Sequence, residues 1–333
     1  MIDPALDQAF GIGIGIGEAR VRFPTTLDRL IHLRALPNLG GLASTGLTYI
    51  ATHANERHYK AGELVYRPEE PVTAVHLIVE GGIRVEQEGL HLFDAVPPFA
   101  TGFFPVIAKS PVGQKATALE ATVTLEISQT DLFEILEDDF GSLENGLRQQ
   151  SRRLAETQRE LESRGLLTRS EPEERPYPEE PLDFIERLEL TRRGPFSTVN
   201  LEPLVQLARL AEEVRYEPGD VLWEAGEAST WGARIVYGVV SCTSVERNFR
   251  MGPDSSVGMI ESNGHMPRSY RAVAETRVVA LTERSDVFLD VLEDHPMVAL
   301  GLLKFMATAL IDNSLRLARA RLTDPSEGRP EAE

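Results

Sequence analysis

Apolar residues recur at helical spacing over residues 26–36 and again over 41–55, with Thr25 or Thr26 placed to cap the first run and Pro37 to end it. Between residues 63 and 123 the pattern changes. Glycine and proline become frequent, and the apolar positions fall into short β-branched runs at 75–79, 83–85 and 121–127. Turn-forming clusters separate these runs: residues 68–71 (Pro-Glu-Glu-Pro), Glu80-Gly81-Gly82 and Pro97-Pro98. This alternation predicts a small antiparallel barrel or jelly roll. From Asp131 to Leu167 the spacing is helical once more.

The same order returns in the second half of the chain. Tyr59-Lys60-Ala61-Gly62-Glu63-Leu64-Val65-Tyr66 aligns with Tyr216-Glu217-Pro218-Gly219-Asp220-Val221-Leu222-Trp223 at an offset of 157, which also places Gly81 on Gly238. Leu27-Asp28 matches Leu182-Asp183 at 155, Asp131-Leu132-Phe133 matches Asp286-Val287-Phe288 at 155, and Leu136-Glu137-Asp138 matches Leu292-Glu293-Asp294 at 156. Offsets that drift by so little indicate two copies of one fold. The fold class is therefore mainly β with flanking α-helices, as two tandem domains at residues 26–167 and 182–322. Residues 168–181, proline-rich and acidic, read as a semi-rigid linker. Residues 1–25 read as a flexible arm, and 323–333 as a disordered tail.

The last helical run of each copy carries leucines every seven residues: Leu147, Leu154 and Leu161 in the first, Leu303, Leu310 and Leu317 in the second. A period of seven marks a helix-pairing seam. Its partner could be the copy's own barrel, the other copy's helix or a second chain, and self-association or a protein partner is expected.

The 333 residues carry 34 Lys+Arg against 52 Asp+Glu, a net charge of −18. Such a balance argues against DNA, RNA or an anionic membrane as a partner, since polyanion binding needs a basic footprint. The length suggests two domains, each burying its own core. The single cysteine, Cys242, excludes an intramolecular disulfide and a cysteine zinc site and favours a reducing, cytoplasmic setting. No basic region leading into an apolar stretch follows Met1, and no run of about 18 apolar residues is uninterrupted, so neither a secretion signal nor membrane insertion is expected. The seven histidines form no HxH, HxxxH or HExxH pair and no nucleophile elbow is present, so no metal and no enzyme activity is read. The run Gly11-Ile12-Gly13-Ile14-Gly15-Ile16-Gly17 lacks the strand and acidic partner of a dinucleotide loop and reads as part of the arm.

Leu33-Arg34-Ala35-Leu36-Pro37-Asn38-Leu39, the 59–65 segment and residues 71–85 (PVTAVHLIVEGGIRV) together resemble the first half of a cyclic nucleotide-binding domain, and Phe133-Glu134-Ile135-Leu136 resembles the start of its C-terminal helices. The resemblance implies an eight-stranded double-stranded β-helix, or jelly roll, acting as a regulatory module. It also implies a phosphate-binding cassette, near Phe-Gly-Glu-Leu-Ala with Arg-Ser/Thr-Ala further on. There, backbone N–H groups and a guanidinium hold the cyclic phosphate and a carboxylate takes the ribose hydroxyl. In the first copy Gly102 is followed by Phe103 where that glutamate belongs, and Gln114 or Lys115 stands for the arginine; this copy is expected not to bind a nucleotide. In the second copy Gly258, Met259 and Ile260 lead to Arg268 and Ser269 at family spacing, again without the glutamate. No resident cofactor is expected, and a cyclic nucleotide at the second copy is the one ligand the pattern suggests.

The leading expectation is thus a non-catalytic regulatory adaptor or structural protein. A cyclic AMP or cyclic GMP sensor working through the second copy is the alternative. A transcription regulator is disfavoured, because no helix-turn-helix is readable after Asn313.

Overall fold

The computed structural model describes residues 23–323 apart from 24, 35–43, 111–112, 168–171, 174, 198 and 246–247. The Gly-Ile run, Pro37 and most of the acidic tail lie outside these residues.

The first half opens with α1 (Thr26–Arg34), started by a reciprocal cap in which the Asp28 N–H donates to Thr25 Oγ1 and the Thr25 N–H donates to Asp28 Oδ2. After α2 (Ser44–His53) come β1 (Asn55–Tyr59), β2 (Leu64–Tyr66), β3 (Ala74–Glu80), β4 (Ile83–Gln87), β5 (Leu90–Ala95) and β6 (Ala100–Thr101). The short helix α3 (Phe103–Ala108) then interrupts the strands before β7 (Lys115–Ala118) and β8 (Thr122–Ser128). The strands form two antiparallel sheets in the orders β1-β8-β3-β6 and β2-β7-β4-β5. This is the jelly roll that the resemblance implies, two facing sheets wound so that alternate residues of each strand fill the interior. Ile83 and Val85 of β4 and Ile78 of β3 are such inward residues and are wholly buried.

The second half repeats the plan element for element. The helices α6 (Phe184–Thr191), begun by a capping box between Asp183 and Glu186, and α7 (Leu201–Leu210) precede eight strands. These are β9 (Glu212–Tyr216), β10 (Val221–Trp223), β11 (Trp231–Tyr237), β12 (Val240–Thr243), β13 (Asn248–Met251), β14 (Ser256–Val257), β15 (Arg271–Ala274) and β16 (Val278–Arg284), with the helix α8 (Met259–Asn263) after β14. Their sheets run β14-β11-β16-β9 and β10-β15-β12-β13, the same orders advanced by eight strands. Gly81 and Gly238, matched in the sequence, occupy equivalent tight turns. Their φ values are +80° and +84°, and a Cβ would lie 2.5 Å from Thr122 Oγ1 in one and 2.0 Å from the Arg277 carbonyl in the other.

Each half ends in two helices where the spacing suggested one. Asp139 is extended and separates α4 (Gln129–Asp138) from α5 (Phe140–Ser163); His295 separates α9 (Ser285–Asp294) from α10 (Pro296–Thr323). The break lets the last helix of each half leave its own barrel. α5 and α10 pack on each other more extensively than any other described helix pair. They run parallel: Gly146 lies against Leu303, and further along Asn313 Nδ2 donates to Thr157 Oγ1 at 3.1 Å in a buried contact. Thr157 and Asn313 are equivalent positions of the two copies, so a pseudo-twofold axis passes between them. The reciprocal contacts obey the same symmetry, α5 packing on α8 of the second half and α10 on α3 of the first. The leucine seam is thereby closed inside one chain. All six seam leucines are buried, and Leu147, Leu154, Leu303 and Leu310 share one core cluster.

The second barrel keeps a core of its own around Leu222, Trp223 and Val240, and the shared cluster is added to it. That cluster runs from Leu47, Ile50 and Leu125 of the first half to Leu204, Leu207 and Phe288 of the second. Burial shared this way couples the halves energetically, because neither can expose its side of the seam without exposing the other's. The region read as a spacer is also docked where it is described. Arg175 pairs with Asp254 at 2.5 Å, Arg215 donates to the carbonyls of Pro178 and Glu180, and the Tyr177 ring packs on Tyr237.

α10 is the one described helix long and apolar enough to cross a membrane by length and composition. Its apolar residues have a different use here, since one face meets α5 and another meets the first barrel. A helix covered on two sides must be apolar on two sides.

Candidate functional site

In the first half, Gly102 ends β6 with φ +87° and starts α3; a Cβ there would stand 2.4 Å from the Ala74 carbonyl. Phe103, at the expected glutamate position, stacks edge-on against Phe104 and packs on the shared core. The strand registers correct the reading of Gln114 and Lys115 as the arginine's replacements. β7 starts at Lys115 and β15 at Arg271, an offset of 156, so Lys115 answers to Arg271 and the counterpart of Arg268 is Val112, which lies outside the described residues. Gln114 instead donates to Gln87 Oε1 at 2.9 Å in a buried pair, and Lys115 pairs with Glu86 at 2.8 Å.

The interior of this barrel is filled. Ile311, Leu315 and Ala318 of α10 join Ile78, Ile83, Val85, Leu92, Ala95 and Ala116 in one hydrophobic cluster. Arg319 pairs with Glu88 at 2.6 Å and Arg321 donates to the Leu92 carbonyl at 3.5 Å, tethering the helix end over the strands. Deeper in, His76 is buried with its Nδ1 3.3 Å from Thr124 Oγ1, and burial lowers its pKa to about 4.

In the second half the pseudo-symmetric positions are smaller or charged. Ile311, Leu315 and Ala318 correspond at offset 156 to Ala155, Arg159 and Glu162 of α5. These three line a cavity of about 520 Å³ in place of a plug, together with Gln158 and residues of the second barrel that include Phe249, Met251, Ile260, Glu261, Arg268 and Ser269. Arg152 Nε donates to the Gly264 carbonyl at 2.9 Å and fixes α5 beside α8.

Of the sequence-read residues, Gly258, Ile260, Arg268 and Ser269 line this cavity and Met259 does not. Gly258 has φ +70° and starts α8, and a Cβ on it would lie 2.1 Å from Arg268 Nη1, so only glycine lets the guanidinium lie this close. Arg268 is 3% exposed. Its Nη1 donates to the Gly258 carbonyl at 3.1 Å and its Nη2 to the Trp231 carbonyl at 2.5 Å, while Trp223 and Trp231 flank it with ring centroids 4.0 and 5.0 Å from Cζ. Burial lowers its pKa, and its Nε–H is buried without a partner. The Tyr270 hydroxyl accepts from the Gly258 N–H at 3.1 Å. Met259, at the second missing glutamate, turns onto β11 and lies where a Cβ of Gly232 would be. Ile260 packs toward the shared core.

Glu261 stands two positions after the place of the missing glutamate, which Met259 fills. Its carboxylate is buried, lines the cavity and accepts from Ser269 Oγ at 2.5 Å. The neighbouring pair Gly258 and Arg268 thus shares its site with a carboxylate of the chain itself. The first-half equivalent is Pro105, which has no charge to offer. Helical spacing alone cannot tell that Glu261 turns inward, since Ser262 and Asn263 beside it are polar as well.

No protein-family model and no curated protein matches the sequence. Among solved structures, the chain is similar to the regulatory subunit of a cAMP-independent protein kinase A from Trypanosoma brucei, at 17% identity over 97% of each chain and a TM-score of 0.31. It is also similar to the regulatory domain of Toxoplasma gondii protein kinase A crystallised with cAMP, at 11% identity, covering 82% of this chain and 96% of that one with a TM-score of 0.32. A cyclic nucleotide-binding-like protein from Brucella abortus is 22% identical over 32% of this chain and 98% of its own, with a TM-score of 0.30.

Proposed function

We propose that this chain is a non-catalytic regulatory adaptor in which two cyclic-nucleotide-binding-like barrels are locked as a pseudo-symmetric pair by their own C-terminal helices, and in which neither barrel takes a cyclic nucleotide. The observation that carries this reading is the crossed capping. α10 fills the first barrel with Ile311, Leu315 and Ala318, so that barrel is a structural element. The second barrel keeps a cavity, but its Arg268 is turned to backbone carbonyls and Glu261 lies beside it. A cyclic phosphate entering there would meet a carboxylate in a poorly solvated site and would have to draw the guanidinium away from its present acceptors. Because the leucine seam is used up within the chain, the partner to be regulated is another protein.

Calorimetry and analytical ultracentrifugation test both halves of the reading. Titration with cyclic AMP or cyclic GMP is expected to give no binding heat at millimolar ligand, and the protein to sediment at its monomer mass of 36.9 kDa with or without them. Micromolar binding lost in Arg268→Ala would establish the sensor reading instead. A dimer mass would show that the seam is not satisfied internally.

A further inference from the structure

We infer that the alternating Gly-Ile run at residues 11–17 docks on an apolar patch of the chain's own first barrel, formed by Val96, Phe99 and Leu119. A protein that uses this face of the barrel must first displace the arm.

The chain enters its two halves in the same way. The Leu182 N–H donates to Glu213 Oε2 at 2.7 Å, and the Phe23 N–H donates to Glu56 Oε2 at 2.8 Å. Arg187 and Arg29 repeat a second contact, donating to the carbonyls of Ala211 and Ala54. In the second half the residues before this anchor run back over the barrel. Tyr177 packs on Tyr237, Arg175 pairs with Asp254, and Pro172 lies so close over Gly252 that a Cβ there would be 2.5 Å from it. Pro172 stands ten residues before Leu182, and ten residues before Phe23 stands Gly13, inside the Gly-Ile run.

The surface around Gly252 has its equivalent in the first barrel. Met251 faces Val240 as Ala95 faces Ile83, which places Gly252 on Val96. The Ile235 and Ile78 N–H groups donate to the carbonyls of Ser255 and Phe99, and the Glu275 and Leu119 N–H groups to those of Val239 and Gly82. A glycine, a serine and a glutamate are therefore replaced by Val96, Phe99 and Leu119, which are 46%, 55% and 41% exposed. The three adjoin one another. A Cβ on Gly82 would touch both Val96 and Leu119, and the Phe99 N–H donates to the Val96 carbonyl at 2.9 Å. Contiguous exposed apolar side chains mark a surface that another segment covers.

The two entering segments differ in the same sense as the surfaces. The linker brings Arg175 to Asp254, whereas the arm carries Ile12, Ile14 and Ile16 and has Pro98 at the place of that aspartate. Extended backbone puts every second side chain on one face, so the isoleucines would meet the patch together while the glycines let the backbone approach it. The tether selects the chain's own arm as occupant. Anchored at Phe23, the run is presented to the patch at an effective concentration on the order of millimolar, far above that of a second copy in dilute solution.

Crosslinking of the full-length chain tests this directly, since Cys242 is buried and leaves introduced cysteines to react alone with a short bismaleimide. Leu64 is the comparison position, 39% exposed and on β2, at the opposite edge of the sheet from β5. Ile14→Cys with Val96→Cys is expected to join within one chain at more than about fivefold the yield of Ile14→Cys with Leu64→Cys. Adding Phe99→Ser and Leu119→Glu, which copy the second half's residues at exposed positions, is expected to bring that ratio below about twofold. Equal yields for the two cysteine pairs overturn the docking. A ratio that survives Phe99→Ser and Leu119→Glu shows that the patch does not hold the arm. Products of twice the chain mass show that the patch receives the arm of a second copy, which equally overturns docking within the chain.

Discussion

Replacing Leu303 by alanine lowers the unfolding free energy by about 3 kcal/mol and melts both barrels in the same transition. Leu303 is wholly buried on α10, faces Gly146 of α5, and belongs to the cluster that contains residues of both halves. Truncating it removes apolar contact and leaves a cavity at the seam. That seam lies between two long helices each packed on a further helix, α10 on α3 and α5 on α8, so it cannot readily collapse. The informative readout is where the loss is felt. Both tryptophans, Trp223 and Trp231, lie in the second barrel, so their fluorescence reports that half. Amide exchange over β3 reports the first. In Leu303→Ala the two probes are expected to shift by the same free energy, as one cooperative unit requires. Destabilisation of the second barrel alone, with β3 protection unchanged, would show that the shared cluster does not couple the halves.

The largest pH effect is expected from Glu283→Gln, which gains up to about 3 kcal/mol over the wild type above pH 7 and nothing at pH 4. Glu283 is held on the helix-covered side of β16. Its Oε2 is out of solvent without a partner, and burial raises its pKa to about 7 despite the nearby Arg234. A carboxyl raised in the folded state favours folding while it is protonated, and the benefit is lost as pH rises from about 4.5 in the unfolded chain through about 7 in the folded one. His76 works in the other direction. Its pKa falls from 6.5 to about 4 by burial, so the unfolded chain takes up a proton first and stability drops as pH falls through that interval. Over most of the range from pH 4.5 to 6.5 the two slopes oppose, and wild-type stability is expected to be nearly flat. Glu283→Gln unmasks the histidine, giving a stability that falls steadily toward acid. Denaturant titrations at half-unit pH intervals decide the matter, and parallel profiles for variant and wild type would refute it.

The repeat, the strand runs and the seam were legible in the sequence because each is a local periodicity. The runs at 75–79 and 83–85 are β3 and β4, and 121–127 lies almost wholly within β8. Alternating inward and outward faces leaves a period of two that chain order alone reveals. The cassette spacing from Gly258 to Arg268 was equally visible. What a periodicity cannot state is which surface covers the face it marks. Leu303, Leu310 and Leu317 announce a partner without naming it, and only the breaks at Asp139 and His295 direct α5 and α10 to each other.

From that crossing everything specific to the site follows. Helical spacing leaves Ile311, Leu315 and Ala318 as apolar positions and Arg159 and Glu162 as charged ones without saying what either set covers. Each set is placed over the opposite barrel, which makes one interior solid and the other a polar cavity. The inward turn of Glu261 onto Ser269 belongs to the same class of fact. The sequence by itself determined two jelly rolls and the faces their helices must bury, since those depend on neighbours along the chain. Tertiary structure alone decided which barrel is closed and what charge the open one presents, because those depend on side chains about 150 residues apart meeting across a pseudo-twofold axis.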